Sequence, residues 1–326
     1  MPVLDAHSGA KVLVTGVNGY VATGVAKELL EQGFSVRGTV IVDDITKEGA
    51  FDEAVKGVDA VEHMASPLPG NLKDEDPEVY IKPAVEGTLS IFNSILKHGN
   101  QIKRVVLTSS IGAVMPPLRS QTTLNEDNWA EEFVDIVGRR GRDSSSVEKY
   151  IASKTLSEKA AWDFYTQNKN QIAWDLVVLN PANALGPQFQ DFKSLNELSR
   201  SVQVWYEFVA MDQPEEYLQA TLSYVDIGDV TLAHVEALKK EAAGGQRIIL
   251  SSGCMTWQDA RNDLFMRKPE YYTSGILKRG NPELRGKVMF TFNSTKAQDI
   301  LGIKYRTWDE TMAATMDEFE KRGFFA

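Results

Sequence analysis

The chain has 326 residues, 43% apolar and 25% charged, with a formal net charge of −10; that suits one large α/β domain or two domains sharing a cleft and argues against a nucleic-acid or anionic-membrane surface. No run of about eighteen apolar residues occurs, so no membrane span is expected, and the first residues show no charged segment leading into an apolar one, so no secretory signal is expected. Cys254 is the only cysteine, which excludes an intramolecular disulfide and makes a reducing, cytoplasmic setting the expectation; His7, His63, His98 and His234 lack metal-ligand spacing, so no metal site is expected.

Lys11-Val-Leu-Val-Thr15 reads as a short buried strand. It runs into Gly16-Val-Asn-Gly19-Tyr-Val-Ala22 and a helix with Val21, Ala22, Val25, Ala26, Leu29 and Leu30 at helical spacing, ended by Gly33. Strand, glycine turn and helix together form the setting of a dinucleotide fingerprint. Gly16 allows the tight turn, Gly19 lets backbone approach a pyrophosphate at the positive end of the helix, and Ala22 keeps the helix close to the strand. Residues 34–40 read as the second strand. An acidic residue at its end would bind a ribose 2′-hydroxyl and mark NAD(H); Arg37 is there instead and suits a 2′-phosphate, so NADP(H) is expected.

Residues 41–45 look like the end of the third strand and 46–56 like a helix with Thr46 near its cap. Parallel neighbours need a crossover of about a dozen residues, and none separates Val40 from Ile41. A segment is therefore expected to be missing there, with the two Cα atoms much further apart than the ~3.8 Å of a bonded pair. The fourth strand spans 59–65, and the small residues Ala65 and Ser66 leave room for a cofactor at its carboxyl end. His63 is expected to pack in the sheet. A long helix over 77–98 has Pro83 as a kink.

The fifth strand, 103–110, ends in hydroxyls, Thr108 and Ser110 among them, where ligands bind such sheets; Ser110 can hydrogen-bond a substrate carbonyl oxygen. Residues 124–129 read as loop and short helix, and the polar run 138–146 as a mobile loop. Tyr150 and Lys154, four apart, face one way on a helix over 147–168. The ammonium is expected to lower the Tyr150 pKa from its ordinary value near ~10, tuning the phenol to exchange a proton with a carbonyl or alcohol oxygen. The sixth strand, 174–179, is closed by Asn180-Pro181; Asp226 and Asp229 are expected to cap and fix the helix that carries His234, and 246–250 reads as another strand. Residues 188–222 and 251–326 are richer in helix and aromatics, with Phe189, Trp205, Tyr206, Phe208 and Met211 as candidate pocket lining.

Gly16-x-x-Gly19-x-x-Ala22, Ser110, Tyr150-x-x-x-Lys154 and Asn180-Pro181, in that order, resemble the extended short-chain dehydrogenase/reductases. Arg104-Val-Val-Leu-Thr-Ser-Ser110, Asn125-Glu-Asp-Asn-Trp129, Tyr150-Ile-Ala-Ser-Lys-Thr-Leu-Ser-Glu158 and Phe292-Asn-Ser-Thr-Lys-Ala297 with Leu301-Gly302 narrow the resemblance to the dihydroflavonol-reductase-like, microbial aldehyde/ketone (carbonyl) reductase group. The fold class expected is α/β: a doubly wound parallel (Rossmann) sheet from residues 1–187 plus about 223–252, with a smaller, mostly helical C-terminal substrate domain from 188–222 and 253–326. The resemblance implies NADPH-dependent reduction of an aldehyde or ketone in a monomer or homodimer. Tyr150 would donate the proton, Ser110 would hydrogen-bond the carbonyl oxygen, and Lys154 would tune Tyr150 and hold the nicotinamide ribose. It implies a cofactor site of Gly16, Asn18, Gly19, Tyr20, Val21, Arg37, Asp44, Ile45, Ala65, Ser66, Thr108, Tyr150, Lys154 and Pro181, with Asp44 and Ile45 beside the adenine. Two alternatives stand beside it. One is an NAD-dependent nucleotide-sugar epimerase or dehydratase, with Lys278, Arg279 and Arg285 as diphosphate contacts. The other is a non-catalytic cofactor-sensing regulator, against which the presence of both Tyr150 and Lys154 speaks.

Overall fold

The computed structural model describes residues 4–5, 9–38, 42, 44–66 and 76–325. Strand β1 (Lys11–Val14) enters a turn at Thr15, helix α1 (Tyr20–Glu31) follows, and Gly33, at a φ of 93°, turns the chain into β2 (Ser35–Gly38). Next come β3 (Ala60–His63), α2 (Glu78–His98), β4 (Arg104–Thr108), β5 (Thr122–Leu124), α3 (Glu131–Arg140) and α4 (Ser146–Asn168). The chain continues through β6 (Asp175–Pro181), β7 (Asn183–Leu185), α5 (Arg200–Ala210), α6 (Glu215–Leu218), β8 (Thr221–Asp226), α7 (Ile227–Lys239) and β9 (Arg247–Leu250). It closes with β10 (Gly253–Thr256), α8 (Trp257–Arg267), α9 (Pro269–Thr273), β11 (Phe290–Phe292) and α10 (Trp308–Lys321).

Six strands form one wholly parallel sheet in the order β2-β1-β3-β4-β6-β9. Alternate residues of a strand face opposite sides. On one side Val12, Val14, Ala60, Val106 and Val177 share a core with Val25 and Leu29 of α1 and Val230 and Ala233 of α7. On the other, Leu13, Val61, Val105, Leu107 and Val178 pack with Ile91, Phe92 and Ile95 of α2 and Ala161 of α4. Helices on both faces of a parallel sheet make a doubly wound, Rossmann-like α/β fold. The strand order reverses between β1 and β3, so the crevice of this sheet opens at their carboxyl ends. Helix α4 packs against both α2 and α3, with Thr88 Oγ1 and Ser157 Oγ 2.8 Å apart at the α2–α4 contact. At the amino ends of β4 and β6, buried Arg104 and Asp175 pair through two bonds of 2.6 and 2.8 Å.

Several local expectations need correction. Residues 46–56 form a run of turns, not a helix, because Gly49 takes a φ of 77° in its middle and interrupts right-handed geometry. Of the expected third strand, residues 42, 44 and 45 are described and none is in a strand; Val40 and Ile41 lie outside the described residues. The run 138–146 is the last turn of α3, a 3₁₀ turn over Gly141–Asp143 and the cap of α4, not a loop. Ser145 caps α4 reciprocally with Glu148, and Arg140 pairs with Glu148 at 2.8 Å. Apart from the large sheet there are a three-stranded sheet, β10-β8-β7, and a two-stranded one, β11-β5. Three of the residues expected to line a pocket, Trp205, Tyr206 and Phe208, pack against other aromatics. Trp205 is fully buried edge-on to Phe319, Tyr206 stacks on Phe319 and Phe325, and Phe208 stacks on Trp257. Phe189 and Met211 are exposed, with the Lys27 ammonium over the Phe189 ring.

Candidate active site

The crevice is held open by glycine and tied by threonine. Gly16, at a φ of 65°, lies so close to the opposite strand end that a Cβ there would meet Ala65 Cα at 3.0 Å, and a Cβ on Gly19 would meet the Gly16 carbonyl oxygen at 3.1 Å. No side chain caps α1, which leaves the amides of its first turn open to an anion. Buried Thr15 Oγ1 accepts hydrogen bonds from the Met64 and Ala65 amides, both at 3.0 Å, and so joins the ends of β1 and β3. Between these ends runs a groove of about 660 Å³. Gly16, Asn18, Gly19, Asp44, Ile45, Ala65 and Ser66 line it as expected, and Val42, Thr46, Met64, Lys82, Pro83 and Glu86 join them. Asp44 accepts from Thr46 N and Oγ1, which together hold its carboxyl below the usual range. A Cβ on Gly87 would lie 2.7 Å from Ile45 Cδ1, so this glycine admits the Ile45 side chain to α2.

Seven expected cofactor residues are not in that lining, Tyr150 and Lys154 among them. Arg37 Nη1 donates to the carbonyls of Ala54 and Lys56 beside the 46–56 turns. Tyr20 is buried and donates to the Gly186 carbonyl at 2.9 Å; burial and then the Asp226 charge push its phenol up. Val21 is half-buried against the core, and Pro181 ends β6. Thr108 sits instead at a second, small cavity and lies 3.3 Å from His234 Nε2.

Ser110, Tyr150 and Lys154 meet at the carboxyl edge of the sheet. Ser110 follows β4 and accepts the Gly112 amide at 3.0 Å, and its hydroxyl stands near enough to Tyr150 to favour the phenolate. Gly112 lies beside the pair: a Cβ there would be 3.3 Å from Ser110 Oγ and 3.5 Å from Tyr150 Cε1. Lys154 Nζ donates to Ser66 Oγ at 3.1 Å, linking this corner to the groove. The expected lowering of Tyr150 is not what the structure gives. Burial pushes the phenol up, with the Ser110 hydrogen bond opposing it, because the Lys154 ammonium is turned to Ser66 and lies 6.0 Å from the ring centre. Burial instead lowers Lys154 to about 8, with the Glu158 charge opposing that shift. The second cavity, of about 10 Å³, lies among His63, Ser66, Thr108, Lys154 and Glu158. His63 is buried in the sheet, as expected, and burial lowers it to about 3.

The sequence model of the NAD dependent epimerase/dehydratase family matches residues 12–251. The chain belongs to that family. It is 28% identical to the NADPH-dependent methylglyoxal reductase GRE2 of Saccharomyces cerevisiae, over 95% of this chain and 98% of that one. It is 30% identical to cinnamoyl-CoA reductase 1 of Arabidopsis thaliana, over 100% and 94% of the two chains. The crystal structure of yeast methylglyoxal/isovaleraldehyde reductase Gre2 complexed with NADPH superposes at a TM-score of 0.83 and 29% identity, covering 96% of this chain and 99% of that one. Among the described residues no group of His, Cys, Asp and Glu could hold a metal ion, and no helix is long and apolar enough to cross a membrane.

Proposed function

We propose that the chain is an NADPH-dependent carbonyl reductase that converts an aldehyde or ketone to an alcohol, with Tyr150 as proton donor. One observation carries the reading: Ser110 and Tyr150 stand together around Gly112 at the sheet edge, and Lys154 joins them to a glycine-walled groove. The relatives named as NADPH-dependent reductases support it and favour NADPH over NADH.

The groove suits a dinucleotide. Gly16 and Gly19 leave room where a Cβ would intrude, and the uncapped start of α1 suits a diphosphate. Asn18, Ala65 and Ser66 would line its path, with Asp44 and Ile45 at the adenine end. When bound, the reduced nicotinamide supplies a hydride to the carbonyl carbon. Ser110 turns its proton toward the carbonyl oxygen while its own oxygen stays fixed by the Gly112 amide, a donor of the kind worth about 3 kcal/mol to the transition state. Tyr150, kept as phenol by burial, releases its proton to the same oxygen as charge develops there. Lys154, an ammonium below about 8, stabilises the phenolate that forms.

Residues 1–187 with about 223–252 hold the cofactor in this reading, and 188–222 with 253–326 form the substrate side. A cytoplasmic monomer or homodimer fits the single cysteine. Nothing among the described residues favours a nucleotide-sugar enzyme: the Arg279 guanidinium lies 3.9 Å over the Phe265 ring, and Arg285 donates to the Pro282 and Leu284 carbonyls. The test is Tyr150→Phe, assayed by NADPH oxidation with a panel of aldehydes and ketones. Turnover is expected to vanish while NADPH still quenches protein fluorescence. Near-normal turnover would refute the assignment.

A further inference from the structure

Glu158 lies four residues beyond Lys154, so Tyr150, Lys154 and Glu158 form one row along α4. Its side chain is 1% exposed, and a buried charge is tolerated only when paired and hydrogen-bonded. Its partners come from three other segments. Oε2 accepts from Ser109 Oγ at 2.5 Å and from Asn180 Nδ2 at 2.7 Å; Oε1 accepts from Arg247 Nε at 2.5 Å. Each partner also reaches the surroundings of Ser110. Ser109 precedes it, and Asn180 Nδ2 donates to the Ser110 carbonyl at 3.0 Å. Arg247 donates to the carbonyls of Ala113, Glu126 and Asn128 at 3.0, 2.8 and 2.5 Å, with Trp129 3.7 Å beneath its guanidinium. One carboxylate thus binds the strand end and turn that carry Ser110 to the helix that carries Tyr150.

We propose that Glu158 is a positioning residue of the reducing site, setting Ser110 against Tyr150 and placing a carboxylate in the small cavity it shares with Lys154. The proposal rests on Tyr150 being the proton donor. Among the described residues, Glu158 is the acidic group that lines the small cavity with Lys154. Tyr150 is held as phenol, His63 of β3 is held neutral, and Ser66 carries no charge. Lys82 and Glu86 of α2 lie on the open groove beyond Ser66, and Arg247 stands behind Glu158. Burial disfavours the Lys154 ammonium, and the Glu158 charge is what opposes it.

The test is the pH profile of kcat/KM for Glu158→Gln. Loss of the ammonium ends the active range on the alkaline side. Without the carboxylate that limb is expected to move down by about one pH unit, the size of effect one nearby opposite charge exerts. Glu158→Asp, which keeps the charge, is expected to return it toward the native position. Where the single variant does not fold because Arg247 is left unpaired, Glu158→Gln with Arg247→Gln removes both charges, and the same direction of shift is expected because Glu158 is the nearer of the two. A uniform loss of activity at all pH values, with the limb unmoved, overturns the proposal and leaves the role of Tyr150 intact. Full activity of Tyr150→Phe would instead sink the reading on which it rests.

Discussion

Replacing Thr15 by Val tests whether the crevice is held by one hydroxyl. The two side chains have nearly the same shape, so the change removes hydrogen bonds and little packing. Thr15 Oγ1 accepts from the amides of Met64 and Ala65 and lies 3.0 Å from His63 Nδ1. A hydroxyl has one proton and two lone pairs. The amides take the lone pairs, so the proton goes to His63 Nδ1 and the imidazole carries its hydrogen on Nε2. The substitution leaves one buried and two part-buried polar groups without this partner, each costing up to about 1–3 kcal/mol. The edge of the groove admits water to some of them, so a total of roughly 3–5 kcal/mol is expected, a large part of the ~5–15 kcal/mol that holds a domain together. Urea unfolding measures it, with Thr15→Ser as the control that keeps every bond and loses one methyl, worth about 1 kcal/mol. NADPH affinity should fall in the Val variant too, because Ala65 and Ser66 line the groove. Stability of Thr15→Val within about 1 kcal/mol of wild type, or equal damage from Thr15→Ser, would refute the reasoning.

Gly16→Ala must hold an L residue at a φ of 65° and place a Cβ 3.0 Å from Ala65 Cα. Left-handed geometry alone costs roughly 1–2 kcal/mol, so NADPH affinity is expected to weaken about tenfold or more in a fluorescence titration. Arg104→Met leaves Asp175 buried without its guanidinium and is expected to cost about 3–5 kcal/mol in urea unfolding, while Arg104→Met with Asp175→Leu recovers most of that. Activity and stability should part company on the alkaline side. Lys154 has a folded-state value lowered to about 8, below its ordinary 10.5. The unfolded chain therefore binds the extra proton between these values, and this group's contribution to stability rises with pH there. Turnover is expected to fall through the same range with no loss of folded protein by circular dichroism; a parallel loss of both would contradict the assignment.

What was legible in the sequence is what rests on local rules. The fingerprint turn reads directly because Gly16 needs a positive φ and a close approach to Ala65, both properties that only glycine supplies. The strands of the parallel sheet read as short apolar runs, and the long helices as periodic ones. What was missed depends on partners far along the chain. Arg37 stands at the position where a phosphate contact was expected, and the carbonyls its Nη1 meets, of Ala54 and Lys56, could not be read from spacing. Residues 46–56 have the composition of a helix, and a single glycine geometry decides against it. The aromatics of α5 find their partners far along the chain, Trp205 and Tyr206 on Phe319 of α10 and Phe208 on Trp257 of α8. Glu158 stands within a stretch that was singled out, yet its role needs Ser109, Asn180 and Arg247, and no spacing announces that set.

The Tyr150–Lys154 pair itself was legible, and its electrostatics were not. Spacing put phenol and ammonium on one helical face; it could not say how far both would be withdrawn from water. Burial acts in opposite directions on the two, since it disfavours the charged form of each. The phenol becomes harder to ionise and the ammonium easier to lose. Reduction needs a phenol with a proton to give and an ammonium to receive the resulting charge, and below about 8 both are present. Oxidation of the product alcohol needs phenolate first, which the buried site opposes. In the proposed mechanism these surroundings suit the two residues to giving a proton, and the alkaline limit of Glu158→Gln tests whether that limit follows Lys154.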